Sequence, residues 1–465
     1  MNIIIEFIYL IAAILFIIGI NQLSKVKTAP RGNRLSAVAM LLAVIATIVK
    51  IQLDNTSSIN WVYIITGIVT GGLIGVVLSK KIKMTAIPQL VAIFNGLGGG
   101  ASVLVALSYL LFNGVTISLD MITVVLSIII GTVTFTGSMV AFAKLQGLVK
   151  SQPILFKGRN ILNVLLFIVV ISLGVRAIII CQNISTAIII LLIMMGVAFI
   201  LGILLVTPIG GADMPIVIAL LNSYSGLAAS MAGFMLGNLL LIISGALVGA
   251  SGIILTKIMC KAMNRSLVNV LFGGFGQTKE DKKEKSEYIN IKQASPEEVA
   301  SILDAARSII IVPGYGMAVA QAQNAVHDIM TTLEQRGIKV EFAIHPVAGR
   351  MPGHMNILLA EADVPYEKLK ELELINSQFK QTDVAIVIGA NDVVNPAAKD
   401  DKSSPIYGMP ILNVYEAKTV IVIKRSLSPG FAGIKNELFE KNNTLMLFGD
   451  AKEMLLKLNQ ELNEL

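Results

Sequence analysis

Apolar residues fill the first part of this chain in long blocks, each broken only by a short polar connection. About nine of these blocks run roughly 17–25 residues, enough to cross a hydrocarbon core as a helix. They begin near Ile3, Leu35, Ile59, Ala86, Leu119, Ile161, Ile184, Met214 and Asn238. Near Asn264 the pattern changes. The charged run 278–286 reads as a solvated linker. Ser295-Pro-Glu-Glu then opens a helix, with Ser as N-cap and Pro in the first turn. Beyond it, short β-branched runs alternate with helical periodicity. Strands are predicted at 309–312, Lys339–Ile344, Val384–Ile388, Thr419–Lys424 and Thr444–Phe448. One helix is expected from the glycine turn after the first strand to about Arg336, with Gly337 as its stop, and a helical tail closes the chain. Such alternation predicts a parallel sheet. The expected division is a polytopic α-helical membrane bundle over 1–263, a linker over 264–290 and a C-terminal α/β domain over 291–465.

Composition agrees with a membrane bundle. Of 465 residues, 55% are hydrophobic and 14% charged, and mean hydropathy is +0.77. The net charge of +7 is no nucleic-acid signature, because much of it lies in short loops between apolar blocks. Lys25, Lys27, Arg31 and Arg34 fall in the first connection, Lys80, Lys81 and Lys83 in the third, and Lys144, Lys150, Lys157 and Arg159 in the fifth. The last block exits through Lys257, Lys261 and Arg265, while the second and fourth connections carry no cation beyond Lys50 at one edge. The positive-inside rule then places the N-terminus outside and the C-terminal domain in the cytoplasm. Arg176 lies on the other side, near a helix end from which it can snorkel. The start lacks a basic n-region, so the first block is expected to span rather than to be cleaved. Cys181 and Cys260 sit at the edges of apolar stretches and imply no disulfide framework. Gly67, Gly71 and Gly75 recur every four residues, and Gly96, Gly98, Gly99 and Gly100 cluster; both sets are expected to let helices approach closely.

The C-terminal domain carries the chemistry. Its first strand ends in Pro313-Gly314-Tyr315-Gly316, and a helix and a second strand follow. Strand, glycine turn, helix and strand form a Rossmann-like unit in which a pyrophosphate can rest on a helix N-terminus. Val319 stands in place of the third glycine of the dinucleotide fingerprint. An NAD site wants a carboxylate at the end of the second strand, and here that end reads His345-Pro346. Lys424-Arg425-Ser426 ends a later strand, and two cations with a hydroxyl suit a 2′-phosphate. Together these favour NADP(H).

Longer motifs are more specific. Pro313 through Gln323, His345 through Gly353, Gly389-Ala390-Asn391-Asp392-Val393 and Lys424-Arg425-Ser426 closely resemble the β-subunit family of the proton-translocating NAD(P) transhydrogenases. In the apolar part, Gly210 through Pro215 and Leu221 through Gly226 are similar to the same family, so the resemblance covers essentially the whole chain. It implies hydride transfer from NADH to NADP⁺ coupled to inward proton movement across a bacterial inner membrane. It implies an α subunit that carries NAD(H) and further membrane helices, and a homodimeric β contact within a hetero-oligomer. No side-chain acid or base is implied, since hydride passes directly between nicotinamides. Carried over by position, the resemblance places Gly314, Tyr315, Gly316, Val347, Ala348, Gly349, Arg350, Met351 and Pro352 at NADP(H). It adds Gly389, Ala390, Asn391, Asp392, Val393, Gly408, Met409, Gly449 and Asp450. Lys424, Arg425 and Ser426 would hold the 2′-phosphate, and Leu427 with Ser428, Pro429, Gly430, Phe431, Ala432 and Gly433 belongs to a segment that folds over the nucleotide. The family also holds its nucleotide reversed relative to a Rossmann fold, so the glycine turn need not cradle the pyrophosphate. Phe431 stands where a Tyr is expected.

Asp392 resembles the acid that links nucleotide state to proton state. Asn95 occupies a place where some relatives carry a proton-binding His, and all three histidines, His327, His345 and His354, lie in the soluble part. The expectation is a proton site on the partner's helices, with Asn95, Ser138 and Asn222 lining a water path and Asp213 at its cytoplasmic mouth. Asn163, Ser223 and Asn238 are further polar groups within the spans. No metal site is expected. The alternative reading is a channel or transporter regulated by a cytoplasmic nucleotide-sensing domain. Against it stand the absence of a Thr-Val-Gly-Tyr-Gly filter and of a clear inverted repeat.

Overall fold

The computed structural model describes residues 2–23, 28–53, 60–82, 86–113, 118–150, 153–180, 183–264, 266–272, 288–351, 353–430 and 432–465. The charged run 278–286, Cys181, Lys25, Lys27, Lys83, Arg265, Pro352 and Phe431 lie outside the described residues. The chain forms two compact units, Met1–Gly210 with Ile216–Thr256, and Gly211–Pro215 with Lys257–Leu465.

Among the described residues, nine helices are long and apolar enough to cross a membrane. They are α1 (Asn2–Leu23), α2 (Ala29–Leu53), α3 (Trp61–Lys81), α4 (Ile87–Asn113), α5 (Ser118–Leu145), α6 (Arg159–Ile179), α7 (Ile184–Val206), α8 (Met214–Leu236) and α9 (Leu239–Ala262). The starts match the hydropathy reading closely except at α2, which begins at Ala29 rather than near Leu35. Its first turn holds Pro30, which needs no intrahelical donor there, and polar residues that a hydropathy pattern passes over. Asparagines open three spans. Asn60 Oδ1 accepts the Val62 N–H at 3.2 Å, Asn183 Oδ1 that of Thr186 at 3.3 Å, and Asn238 Oδ1 that of Leu241 at 3.1 Å. Asn238 therefore caps α9 rather than sitting inside it.

Within the first unit, α4 and α5 meet along a small-residue seam. A methyl added at Gly99 would lie 2.7 Å from the Gly131 carbonyl oxygen, and one at Gly131 would lie 2.6 Å from that of Gly99. Ser127 Oγ donates across this seam to Ser102 O at 3.2 Å and to Ala228 O of α8 at 3.4 Å. Met121, Val124, Ile128, Val170, Leu191 and Met194 join α5, α6 and α7 in one buried cluster. Ser223 Oγ donates to Gly249 O at 2.6 Å and ties α8 to α9. The α1–α2 hairpin shares an apolar cluster with Leu240 of α9, and Tyr9 Oη bonds Thr47 Oγ1 at 2.9 Å. Lys144 departs from its expected role as a solvated loop charge. It is 1% exposed, and its ammonium donates to the Thr207 carbonyl and, at 2.7 Å, to that of Ile209, which satisfies orphan carbonyls at the end of α7. The glycine expectation divides. Gly96, Gly98, Gly99 and Gly100 all face neighbouring helices, whereas Gly67, Gly71 and Gly75 meet nothing within 4 Å among the described residues. Among the described residues helix α3 has no buried side chain, so nothing described covers its small face.

The second unit is built on six parallel strands: β1 (Ser308–Pro313), β2 (Lys339–Ile344), β3 (Leu369–Glu371), β4 (Val384–Ile388), β5 (Thr419–Lys424) and β6 (Thr444–Phe448). Their order is β3-β2-β1-β4-β5-β6. The central strands are buried along nearly their whole length, which is why they read as continuous β-branched runs. Five strands match the sequence reading. The sixth, β3, is a Leu-Lys-Glu edge with no apolar run to announce it. Helix Pro296–Asp304 begins as expected, with Ser295 Oγ accepting the Glu298 N–H at 3.3 Å. The long helix expected after β1 is instead two, Tyr315–Val319 and Gln323–Gln335, separated where Gln321 takes φ 51°. Gly337, at φ 79°, stops the second as expected. The backbone near Tyr288 already packs on the sheet: Met446 N–H donates to Lys292 O at 2.8 Å, and Tyr288 Oη accepts the Asn436 N–H at 3.1 Å.

Candidate functional site

In a sheet of this order, β1 and β4 are neighbours whose connections leave in opposite directions, and the crevice opens at their carboxyl ends. The two loops there touch backbone to backbone. Gly314 N–H donates to Ile388 O at 2.9 Å, and Gly316 N–H donates to Gly389 O at 2.9 Å. A methyl at Gly314 would come within 2.4 Å of the Ala390 Cα, and one at Gly316 within 2.6 Å of the Gly389 Cα. Gly389 has φ 66°, a left-handed conformation that L side chains resist. The glycine pair after β1 thus serves first to dock one loop on the other. That leaves the outer face of the turn, with Tyr315, toward the crevice.

The loop after β2 closes one side. Val347, Ala348, Gly349 and Arg350 line the crevice, and the Arg350 guanidinium lies 4.4 Å from the Tyr315 ring centre. Burial raises the Tyr315 phenol above its usual pKa, and Arg350 partly opposes the shift. His345 and His354 sit behind this loop, 2% and 1% exposed. Burial lowers each imidazole pKa to about 4.

The end of β5 supplies cations on the opposite side. Arg425 and Ser426 are exposed, while Lys424 is half-buried, with its ammonium 5.3 Å from the Phe439 ring centre. Burial pulls the Lys424 pKa below its usual range, against the opposing charge of Asp392. Lys424 Nζ donates to Ser428 O, and the Ser426 and Ser428 hydroxyls bond each other at 2.9 Å. Asp392, in the turn after β4, accepts the Ala432 N–H at 3.0 Å on Oδ2. Gly430 packs against the same carboxylate, so closely that an added methyl would lie 2.4 Å from Oδ1. Lys424 and Asp392 thus hold Ser428 and Ala432, which both line the crevice.

A basic, hydroxyl-bearing strand end facing an arginine loop across a switch-point crevice is suited to a phosphorylated dinucleotide. The family model described as NAD(P) transhydrogenase beta subunit matches residues 5–461. Two NAD(P) transhydrogenase subunit beta sequences from Rhodospirillum rubrum, one from a designated strain, are each 50% identical over 472 residues, covering 98% of both chains. The chain belongs to the NAD(P) transhydrogenase β-subunit family. With its long apolar helices, it is a multi-pass membrane protein of an oxidoreductase family that uses nicotinamide nucleotides. Membership sets aside the channel or transporter alternative.

Most of the β-subunit residues singled out from sequence line the crevice: Tyr315, Gly316, Val347, Ala348, Gly349, Arg350, Gly389, Ala390, Asn391, Asp392, Val393, Met409, Lys424, Arg425, Ser426, Ser428, Pro429, Gly430, Gly449 and Asp450. Gly314, Met351, Gly408 and Leu427 do not line it. Gly314 is spent on the loop contact, and Gly408, at φ 80°, donates its N–H to Ala398 O at 2.8 Å in a local turn. Asp450 also caps helix Ala451–Glu464 through the Lys452 N–H at 3.0 Å. Ala432, in the segment expected to fold over the nucleotide, lines it too, while sequence reading missed Ala320, Pro405, Ile406, Ile423 and Ala451, small or apolar residues with no chemical signature. In the spans, Asn95 Nδ2 donates to Ile218 O of α8 at 3.2 Å. Ser138 is buried beside Gly96, and its Oγ finds no hydrogen-bond partner among the described residues. The Asn163 Oδ1 is in the same condition, and Asn222 is half-buried on α8. Asp213 ends the single turn Gly211–Asp213 ahead of α8. Among the described residues no His, Cys, Asp and Glu group is arranged to hold a metal.

Proposed function

We propose that this chain is the NADP(H)-binding and membrane subunit of an enzyme that couples hydride transfer from NADH to NADP⁺ with inward proton translocation. Its α-subunit partner supplies the NAD(H) site and further helices, and a second β chain completes the assembly. The C-terminal unit is cytoplasmic and the membrane is the bacterial inner one. The observation that carries this reading is the exposed Arg425-Ser426 pair with Lys424 at the end of β5, set beside the switch point. NADP⁺, when bound, supplies the hydride acceptor. The chain's own residues position it and cover it, which is the main protein contribution when hydride passes directly between two rings.

Each residue has a definite task on this reading. Arg425, Ser426 and Lys424 take the 2′-phosphate, and Arg350 takes a charge of the pyrophosphate with Tyr315 beneath it. Asp392 ties the turn after β4 to the covering segment through Ala432, so its ionisation is placed to couple cover and site. In the membrane, Asn95, Ser138 and Asn222 line a water path to the proton group on the partner's helices, with Asp213 at its cytoplasmic end. The test is nucleotide binding. NADPH is expected to bind far more tightly than NADH, and Arg425→Ala is expected to cost NADPH about tenfold or more while leaving NADH unchanged. Equal binding of the two nucleotides would sink the 2′-phosphate assignment.

A further inference from the structure

The loop after β2 has a backing that neither the motif nor its proposed contacts explain. Two of its backbone N–H groups end on imidazole nitrogens. Val347 N–H donates to His345 Nδ1 at 3.2 Å, and Arg350 N–H donates to His354 Nδ1 at 3.2 Å. His345 is fixed in turn, because its Nε2–H donates to Pro410 O at 2.8 Å. An imidazole that accepts on Nδ1 carries its proton on Nε2 and is neutral. Gly349 packs directly on His354, so closely that an added methyl would lie 2.4 Å from its Cβ. Its own Nε2–H has no partner among the described residues.

We propose that His345 and His354 are positioning residues, two neutral acceptors that pin both ends of the 347–350 turn and so hold Arg350 over Tyr315 in the conformation that receives the nucleotide. The inference rests on the NADP(H) reading of the crevice. A protonated imidazole cannot accept a hydrogen bond, so each staple requires the neutral ring. Burial keeps both rings neutral until the pH nears about 4. The charged and titratable groups facing them act unequally. Glu373 favours a protonated His345, whereas Arg350 disfavours a protonated His354, beside which the Tyr315 ring centre lies 6.2 Å away. The sign follows: the staples are intact at neutral pH and are lost as pH falls through about 4.

The experiment uses the full-length protein in detergent. His354→Asn places an amide oxygen where Nδ1 was and cannot be protonated, whereas His354→Phe keeps the bulk without the acceptor. At neutral pH the Phe variant is expected to bind NADP⁺ about tenfold more weakly, and the Asn variant within about twofold of the parent. On acidification the affinity of His354→Asn relative to the parent is expected to rise. Taking that ratio cancels the titration of the nucleotide's own 2′-phosphate. Without nucleotide, hydrogen exchange at the Arg350 amide is expected to be slow in the parent and the Asn variant and fast in the Phe variant. Equal exchange in all three overturns the staple, and so does an Asn variant that binds as weakly as Phe. Should the parent itself fail to bind NADP⁺, the nucleotide reading fails, while the exchange data still decide whether the imidazole holds the turn.

Discussion

Gly389 shows how much one residue can be asked to do at this site. Its φ of 66° puts it in the left-handed region, and an added methyl would lie 2.4 Å from the Gly316 Cα and from the Met317 nitrogen. Both neighbours are backbone, which cannot swing aside. Gly389→Ala is expected to destabilise the second unit by about 2 kcal/mol or more, from the conformational penalty plus overpacking. Thermal unfolding of the variant checks this, and an unchanged midpoint would refute it. Asp383 is the corresponding polar keystone at the other end of the sheet. Its Oδ2 accepts the Arg307 and Ser308 N–H groups at 3.0 and 3.1 Å, and Lys418 donates to Oδ1 at 2.7 Å. The Lys418 bond first, and the backbone donors after it, hold its pKa down to about 2. A depressed folded pKa means stability that is present above the unfolded value and lost as pH falls toward 2. Discounted for partial exposure, Asp383→Asn is expected to cost about 1–2 kcal/mol at neutral pH and almost nothing near pH 2. The Gly-x-Gly pair was legible in the sequence as a turn. Its reason was not, because the surface it docks on, Gly389 and Ala390, comes from a different strand.

Elements were legible where a single periodicity ran long enough. The spans, β1, β4 and β5 all met that condition. Three features did not. The edge strand β3 has only Leu369 as an apolar member, so nothing marks it. The break at Gln321 lies inside an Ala-Gln-rich stretch of good helix formers, where tertiary packing overrides propensity. Asn238 reads as a polar residue within a span until the cap bond to Leu241 shows it to be a helix start. The glycines make the same point in reverse, since the cluster in α4 packs on its neighbours while the regular repeat in α3 meets nothing among the described residues. Gly99→Val is therefore expected to destabilise the first unit by about 2 kcal/mol or more, because the Gly131 carbonyl cannot yield. Gly71→Val, which meets nothing within 4 Å among the described residues, is expected to leave the isolated chain within about 0.5 kcal/mol of the parent. Thermal unfolding in detergent separates the two. Equal losses would mean that α3 packs on something within this chain.

At the scale of the whole molecule the proposed function makes an energetic demand that can be checked. One proton moving inward through 100 mV delivers about 2.3 kcal/mol. At about 1.4 kcal/mol per tenfold, that shifts the combined NADPH/NADP⁺ to NADH/NAD⁺ ratio by between one and two decades. Assembled with its α partner in vesicles, the enzyme is expected to show that shift when a potential is imposed and to lose it when an ionophore collapses the potential. Asn95 is the residue through which the first unit is tested. Its amide donates to the Ile218 carbonyl at 3.2 Å, a bond of the kind that packs membrane helices together. Near it Ser138 keeps a buried hydroxyl with no partner among the described residues, the kind of group that a water chain would satisfy. If the amide is part of that chain, Asn95→Ala leaves NADPH binding intact and reduces the potential-driven shift. A variant that is merely less stable, with the full shift retained, would make the bond to Ile218 a packing contact and would leave the proton route to the partner's helices.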